Sequence, residues 1–261
     1  MNQFSVKNMT LFDHSLKRII IAASILGLMT VYYYIPFKFE YIGNTHKIWA
    51  HRVNSIERLE YTKTQYRGVE LDIVFDTATN TFDVNHPPAA SIGLTLESYL
   101  SHLDLSQPIG IWLDFKNLTK ENKNTALERL SFLTKKYSLK NSHIIVESPC
   151  PELLSPFNNA GFQTSYYLPN DLNKMPDEKL VKIILEINKN INLFPTSGIS
   201  TNLNDYDIIA EHFPKYQKYL WSSKKTYALK LFSNSLLTWK ALHDENVTVL
   251  LVKVNRQKGK R

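Results

Sequence analysis

Two acidic residues stand inside a run of sequence that otherwise has the composition of a buried strand. The run is "GVELDIVF", and its Glu70 and Asp72 are two positions apart, so in a strand both project from the same side. The run "IGIWLDFK" repeats this pattern with Asp114 and Lys116. A buried charge is costly unless an opposite charge lies near it. The two runs therefore indicate either a cation site or an internal set of salt bridges in which Lys116 neutralises a carboxylate.

The types of the neighbouring residues favour a hard metal ion over zinc. No histidine or cysteine lies at short ligand spacing beside Glu70, Asp72 or Asp114. Sets of oxygen ligands suit Mg²⁺ or Ca²⁺, whereas zinc prefers nitrogen and sulfur. The sequence therefore predicts a divalent ion, Mg²⁺ or Ca²⁺, as the cofactor of these three carboxylates.

Two histidines bracket the acidic pair. His51 ends the apolar run before it, and His86 follows "TFDVN", which looks like a short extension after the strand that carries the pair. Residues at the carboxyl ends of parallel barrel strands converge on one face. The two histidines are therefore predicted to flank a ligand bound to the metal, whereas the other histidines singled out are interpreted as packing or surface residues: His102, His143, His212 and His243.

Strand-like runs alternate with segments that could be helical from about residue 44 onward. The candidate strands are "IWAHR", "GVELDIVF", "IGIWLDFK", "HIIVES", "FQTSYYL", "INLFPTSGIS", "KYLWSS" and "VTVLLVKV". This alternation is typical of a parallel sheet, and eight strand-helix units would close a TIM-type (β/α)8 barrel. The sixth and seventh runs are weaker signals, so a doubly wound open sheet is the alternative.

The N-terminal part of the chain contains an uncharged apolar stretch. Residues Ile19 to Phe37 read "IIIAASILGLMTVYYYIPF", follow two basic residues and end near three tyrosines. This length and composition favour a retained transmembrane helix over a cleaved signal peptide or a buried helix, with the N-terminus in the cytoplasm and the following domain outside it. The predicted organisation is a cytoplasmic segment 1–18, an anchor 19–37, a barrel domain 44–255 and a basic tail 256–261.

Composition narrows the class of protein further. The chain of 261 residues is 43% hydrophobic and can build one large core, and its single Cys150 excludes an intramolecular disulfide framework. The net charge of +7 is concentrated in the last third of the chain. This basic block indicates a solvated surface, an anionic membrane or a phosphate-bearing substrate. Nucleic acid is not expected, because no zinc-ligand cluster, Walker loop or RNA-binding aromatic motif is present.

Four motifs in order resemble those of the phospholipase-C-like phosphodiesterase superfamily. They are "HRVNS", "VELDI", "HPP" and "WLDFK", and they are most similar to the signatures of the menorin-like branch. The superfamily also includes the glycerophosphodiester phosphodiesterases and the venom-type sphingomyelinases D. The strong likeness covers roughly residues 48–118, and the rest of the chain shares only the alternation of strands and helices.

The resemblance implies a role for each motif residue. His51 and His86 match the general base and acid, and Glu70, Asp72 and Asp114 match the metal ligands. Arg52, Asn54 and Lys116 match polar residues expected near the phosphate. Apart from the resemblance, the position of Trp221 at the end of the proposed seventh strand predicts an apolar surface for a lipid or alcohol moiety.

These roles imply a metal-dependent phosphodiesterase acting on a glycerol- or lipid-derived phosphodiester by two-histidine acid/base catalysis. The alternatives are a non-catalytic binding or adhesion module on the same barrel, and a different metal-dependent lyase or hydrolase on that fold. The expected partners are a small phosphodiester or a lipid headgroup, and a membrane through the N-terminal helix.

Overall fold

The computed structural model describes residues 3–34, 38–103, 108–222 and 231–254. Its strands are β1 Ile48–His51, β2 Gly68–Asp76, β3 Thr81–Val84, β4 Gly110–Phe115, β5 Ile144–Ser148, β6 Gln163–Tyr167, β7 Gly198–Asn202, β8 Gln217–Trp221 and β9 Val247–Lys253. Its helices are α1 Gln3–Tyr34, α2 Ile56–Thr62, α3 Leu96–Leu100, α4 Lys123–Lys136, α5 Ser155–Asn159, α6 Asp177–Leu193, α7 Tyr206–His212 and α8 Leu231–His243. Short 3₁₀ turns cover Phe39–Tyr41, Thr45–Lys47, Asn141–His143, Pro151–Leu153, Leu172–Lys174 and Leu203–Asp205.

Eight of these strands form a closed parallel barrel. The strand order is β1-β9-β8-β7-β6-β5-β4-β2, and β1 also pairs with β2, which closes the ring. The predicted TIM-type barrel is confirmed, and the closure rules out the doubly wound open sheet. The barrel strands lie within the predicted domain 44–255.

The register of the strands brings the acidic motifs together. Asp72 of β2 lies directly beside Asp114 of β4, and Glu70 lies beside Trp112. The strand outside the barrel, β3, pairs antiparallel with the end of β2, with Val84 beside Ile73. This hairpin returns the chain to the carboxyl end of β2, so that His86 follows within reach of the acidic residues.

Two apolar layers hold the barrel. Side chains that point outward from the strands, such as Leu71 and Ile73, are fully buried against the helices. A second cluster fills the barrel interior, with Trp112 and Tyr219 packed edge to face at 5.6 Å between ring centroids. Each fully buried apolar side chain contributes about 1.5–3 kcal/mol to folding. The interior cluster lies next to the acidic residues on the same strands and gives them a rigid base.

The sixth predicted strand begins later than the sequence indicated. The predicted run "INLFPTSGIS" starts at Ile191, but α6 continues to Leu193 and β7 begins only at Gly198. Ile187 and Ile191 are both buried, and their spacing of four residues is that of one helix face. Pro195 then ends the helix, because the residue before a proline is disfavoured in the α conformation.

The predictions for the two ends of the chain are not confirmed by the structure. Among the described residues, no helix has both the length and the apolar character needed to cross a membrane. Residues 35–37 of the predicted anchor 19–37 lie outside the described residues, as does the predicted basic tail 256–261. The anchor is thus not confirmed, and the cytoplasmic segment 1–18 and the extracytoplasmic location stay predictions.

Candidate active site

Three carboxylates meet at the carboxyl end of the barrel. Glu70, Asp72 and Asp114 each offer an oxygen atom, and these atoms lie within 4.8 Å of one another. Glu70 and Asp72 are only 2% and 1% exposed. Burial raises the pKa of Glu70 well above its usual range, and the charges of Asp72 and Asp114 raise it further. Burial also raises the pKa of Asp114. A positive charge near the cluster would therefore favour the ionised form of these acids.

Lys116 supplies part of that charge. Its ammonium group lies 2.9 Å from Oδ1 of Asp72 and also donates to Oδ2 of Asp114. Burial acts to lower the pKa of Lys116, but Asp114 and Asp72 outweigh it and the pKa is raised. The structure is compatible with both interpretations that the sequence left open, the salt bridges and the cation site. Lys116 forms salt bridges with Asp72 and Asp114, and these two acids belong to the cluster that could hold a metal.

The segment after β1 fixes the orientation of the two β2 carboxylates. The backbone N–H of Arg52 donates to Oε2 of Glu70 at 2.6 Å, with Arg52 in the left-handed region at φ 57°. The amide of Asn54 donates to Oδ2 of Asp72 at 2.6 Å, and the backbone N–H of Asp72 donates back to Oδ1 of Asn54 at 3.0 Å. Asn54, which was predicted to lie near a phosphate, therefore contacts Asp72 and does not line the cavity of the site.

His51 lies beside the carboxylate cluster at the end of β1. Its Nε2 is 3.6 Å from Oε2 of Glu70, and its buried Nδ1 has no hydrogen-bond partner within the described part of the chain. Burial lowers the pKa of His51 to about 3, and the charge of Arg52 contributes to this shift. In the absence of a ligand His51 is therefore neutral at pH 7 and has a free position for a proton.

His86 follows β3 and lies beside Asp72 of β2. Its Nε2 is 3.8 Å from Oδ1 of Asp72, and Nη2 of Arg52 lies 3.1 Å from the same nitrogen. The side chain of His86 is 35% exposed, whereas that of His51 is 12% exposed. The two histidines thus face the cluster from different sides and differ in their access to solvent.

A cavity of about 130 Å³ opens over these groups. Of the predicted site residues, seven line it: His51, Arg52, Glu70, His86, Asp114, Lys116 and Trp221. Four further lining residues were not predicted: Trp112, Glu147, Tyr167 and Leu251. Glu147 is 3% exposed and lies beside Asp114 in the register of β5 with β4. Burial raises the pKa of Glu147 well above the usual range, and the charge of Asp114 adds to that effect.

The donor set fits a hard divalent ion. Glu70, Asp72 and Asp114 provide only oxygen ligands at compatible separations, and such ligands suit Mg²⁺ and Ca²⁺. The raised pKa values of Glu70 and Asp114 have the physical cause that a cation would remove, namely burial of negative charge. These three residues would hold the ion beside Lys116, which contacts two of them.

Comparisons with known proteins agree with the motif resemblance. Residues 44–145 match the Menorin N-terminal domain. No curated protein matches the chain.

Solved structures share the barrel. A protein assigned as a glycerophosphodiester phosphodiesterase from Galdieria sulphuraria is 14% identical with a TM-score of 0.56, covering 78% of this chain and 92% of its own. A glycerophosphodiester phosphodiesterase from Parabacteroides distasonis is 16% identical with a TM-score of 0.51, covering 79% and 92%. A phosphodiesterase from Oleispira antarctica, solved with its product sn-glycerol-3-phosphate, is 12% identical with a TM-score of 0.52, covering 82% and 94%. The predicted resemblance is confirmed, and at these identities it establishes the fold.

Proposed function

We propose that this protein is a metal-dependent phosphodiesterase that acts on a glycerol- or lipid-derived phosphodiester. One observation carries the proposal: two histidines and two carboxylates, Glu70 and Asp114, line one cavity at the carboxyl end of the barrel. The third carboxylate, Asp72, lies within 4.8 Å of the other two. The product complex of the Oleispira antarctica phosphodiesterase supports the substrate class, because a barrel of similar fold binds a glycerol phosphate.

The chemistry follows from the arrangement of the side chains. A divalent ion held by Glu70, Asp72 and Asp114 would neutralise charge on the phosphate oxygens. One histidine takes the proton from the attacking oxygen as its bond to phosphorus forms. The other gives a proton to the leaving oxygen as the second P–O bond breaks. Arg52 and Lys116 line the same cavity and add positive charge for the phosphodiester.

The testing experiment is a panel of phosphodiesters assayed with the purified full chain, with and without Mg²⁺ or Ca²⁺. We expect turnover that depends on the ion. Substituting either His51→Ala or His86→Ala should reduce kcat by about 10²–10⁴, the usual contribution of one proton-transfer group. Affinity for the ion, measured by calorimetry, should persist in both variants because neither histidine is assigned as a ligand.

Two further variants serve as controls for this experiment. His102→Ala removes a histidine outside the cavity and should leave kcat unchanged, whereas Asp72→Asn should abolish ion binding and turnover together. If the chain binds the ion and a diester but cleaves none of the panel, the binding-module alternative on the same barrel replaces the phosphodiesterase. Loss of ion affinity in His51→Ala or His86→Ala would make that histidine a ligand.

A further inference from the structure

A second cavity opens at the opposite end of the barrel, where the strands begin. Its volume is about 410 Å³, whereas the cavity of the candidate active site measures about 130 Å³. Binding sites for small molecules usually span about 300–1,000 Å³. Arg67 and His143 directly precede β2 and β5, and Gln163 and Gln217 are the first residues of β6 and β8. No described residue lines both cavities, and the proposed phosphodiesterase chemistry uses none of the residues that line this one.

Glycines leave this end of the barrel partly hollow. A TIM barrel normally fills its interior with layers of inward side chains. Gly68 and Gly110 stand two positions before Glu70 and Trp112, at inward positions of β2 and β4 that therefore carry no side chain. The Trp49 ring covers both glycines, since a Cβ on either would lie 2.1 Å from it. One indole thus replaces two side chains, and the remaining space is the cavity.

The floor of this cavity is apolar and aromatic. Ile145, Tyr219 and Val249 line it and are only 3%, 1% and 0% exposed. Trp49 is half-buried and forms part of the wall. These side chains belong to the cluster that fills the barrel interior. A flat apolar group would pack against the two rings, because aromatic rings favour stacked and edge-to-face contacts.

The mouth of the cavity carries groups that attract an anion. Arg67, His46 and His143 line it and are exposed. None of the described lining residues is acidic. The guanidinium group of Arg67 forms no ion pair or hydrogen bond with another residue of the described ranges. A guanidinium group binds a carboxylate or a phosphate through two parallel hydrogen bonds, so Arg67 is available for such a group.

We propose that the cavity where the strands begin binds a small organic anion. Its flat apolar part packs against Trp49 and Tyr219, and its carboxylate or phosphate group pairs with Arg67 at the mouth. The site is distinct from the candidate active site. Tyr219 packs on Trp112, which lines the other cavity, so one pair of aromatic rings separates the two ligands.

The test uses two probes of nearly the same shape, naphthalene-2-carboxylate and its neutral amide, naphthalene-2-carboxamide. Calorimetry with the full chain should show about fivefold tighter binding of the carboxylate, since an ion pair at an exposed arginine is worth at most about 1 kcal/mol. Arg67→Gln should remove this preference while the amide still binds. Lys140→Gln changes an exposed lysine that does not line the cavity, and the preference should persist.

A blocking variant tests the location. Thr248 is an exposed residue of β9 that lines the cavity. Thr248→Trp should fill part of the space and weaken the binding of both probes at least about tenfold. Thr248→Val keeps the volume of the side chain and should bind both probes as the wild-type chain does. Saturating sn-glycerol-3-phosphate with Mg²⁺, a probe for the other cavity, should leave the affinity for the carboxylate unchanged.

Several outcomes would overturn the proposal. In the wild-type chain, which requires no variant to fold, they are binding of neither probe and equal affinity for both. Displacement of the carboxylate by sn-glycerol-3-phosphate would place it in the cavity of the candidate active site. Undiminished binding in Thr248→Trp, or an unchanged preference in Arg67→Gln, would place it elsewhere on the surface. The phosphodiesterase proposal stands or falls independently, because none of these measurements depends on turnover.

Discussion

At the scale of single residues, Lys116 is the side chain whose two possible roles conflict. Its ammonium group bonds to Asp72 and Asp114, and Asp72 is 1% exposed and does not line the cavity. We expect an ion that binds all three carboxylates to compete with Lys116 for Asp72 and Asp114. The internal salt bridges and the metal site would then be two states of one cluster, and the ammonium group would be released toward the phosphate when the ion binds.

Replacing Lys116 tests this competition. We expect Lys116→Gln to bind Mg²⁺ or Ca²⁺ about tenfold more tightly, because removing the competing charge is worth about 1.4 kcal/mol or more. Turnover should fall, since a positive charge is lost from the cavity. Calorimetry with the full chain measures the affinity, and Lys120→Gln, an exposed lysine on the following loop, is the control that should change nothing. An unchanged or weaker affinity in Lys116→Gln contradicts the competition.

Sequence could predict some of these residues but not all of them. The pair Glu70 and Asp72 is visible because a spacing of two in an apolar run is itself a signal. Glu147 has no such acidic neighbour at that spacing, and its proximity to Asp114 arises only from the register of β5 against β4. The one available signal was a lone acid in the run "HIIVES", and a lone acid at the end of a strand is too common to mark a site.

At the scale of elements, glycines at strand beginnings shape the end of the barrel opposite the site. Gly68 begins β2 and Gly110 begins β4, and a Cβ built on either would overlap the ring of Trp49. The indole therefore packs closely on the backbone of two neighbouring strands. This contact fixes the relative height of β1, β2 and β4, which carry His51 and the three clustered carboxylates.

Gly110→Ala should therefore destabilise the barrel. We expect a loss of about 1–3 kcal/mol in the free energy of unfolding, the usual cost of overpacking, measured by urea denaturation. In a Trp49→Ala background the same substitution should cost little, because the ring that it meets is absent. If the two backgrounds lose equal stability, the contact with Trp49 is not the cause.

The elements themselves could be predicted well where the pattern was local. All eight predicted barrel strands overlap observed ones, because the short apolar runs form strands and the longer polar segments between them contain the helices. The error at the start of β7 has a local cause: Ile191 and Leu193 have the composition of strand residues in isolation, but they belong to the last turns of α6. Closure could be predicted only from the number of strands and not from any local pattern, since the pairing of β1 with β9 joins residues about two hundred positions apart.

At the scale of the whole molecule, the interior charge links the stability of the barrel to pH and to metal. The folded-state pKa values of Glu70, Asp114 and Glu147 are raised by burial. Over the range between the ordinary carboxyl pKa and these raised values, the folded chain holds more protons than the unfolded chain, so its stability falls as pH rises. His51 acts in the opposite sense, because its pKa is lowered to about 3, but its contribution is complete above the ordinary histidine pKa of about 6.5.

The last prediction follows from that sign. As pH rises from the ordinary carboxyl pKa through the raised pKa values of Glu70, Asp114 and Glu147, the contribution of these acids to the free energy of unfolding of the full chain in EDTA should decrease. At one hundred times its Kd, Mg²⁺ or Ca²⁺ should add about 2.7 kcal/mol at neutral pH, and less at acidic pH, where protons compete for the carboxylates. Urea unfolding at several pH values, with EDTA and with the ion, measures both effects. Stability that rises with pH in EDTA, or that does not increase with either ion, would contradict this prediction. Lys116 and Arg52 would then suffice to neutralise the acids at the carboxyl end of the barrel without a metal.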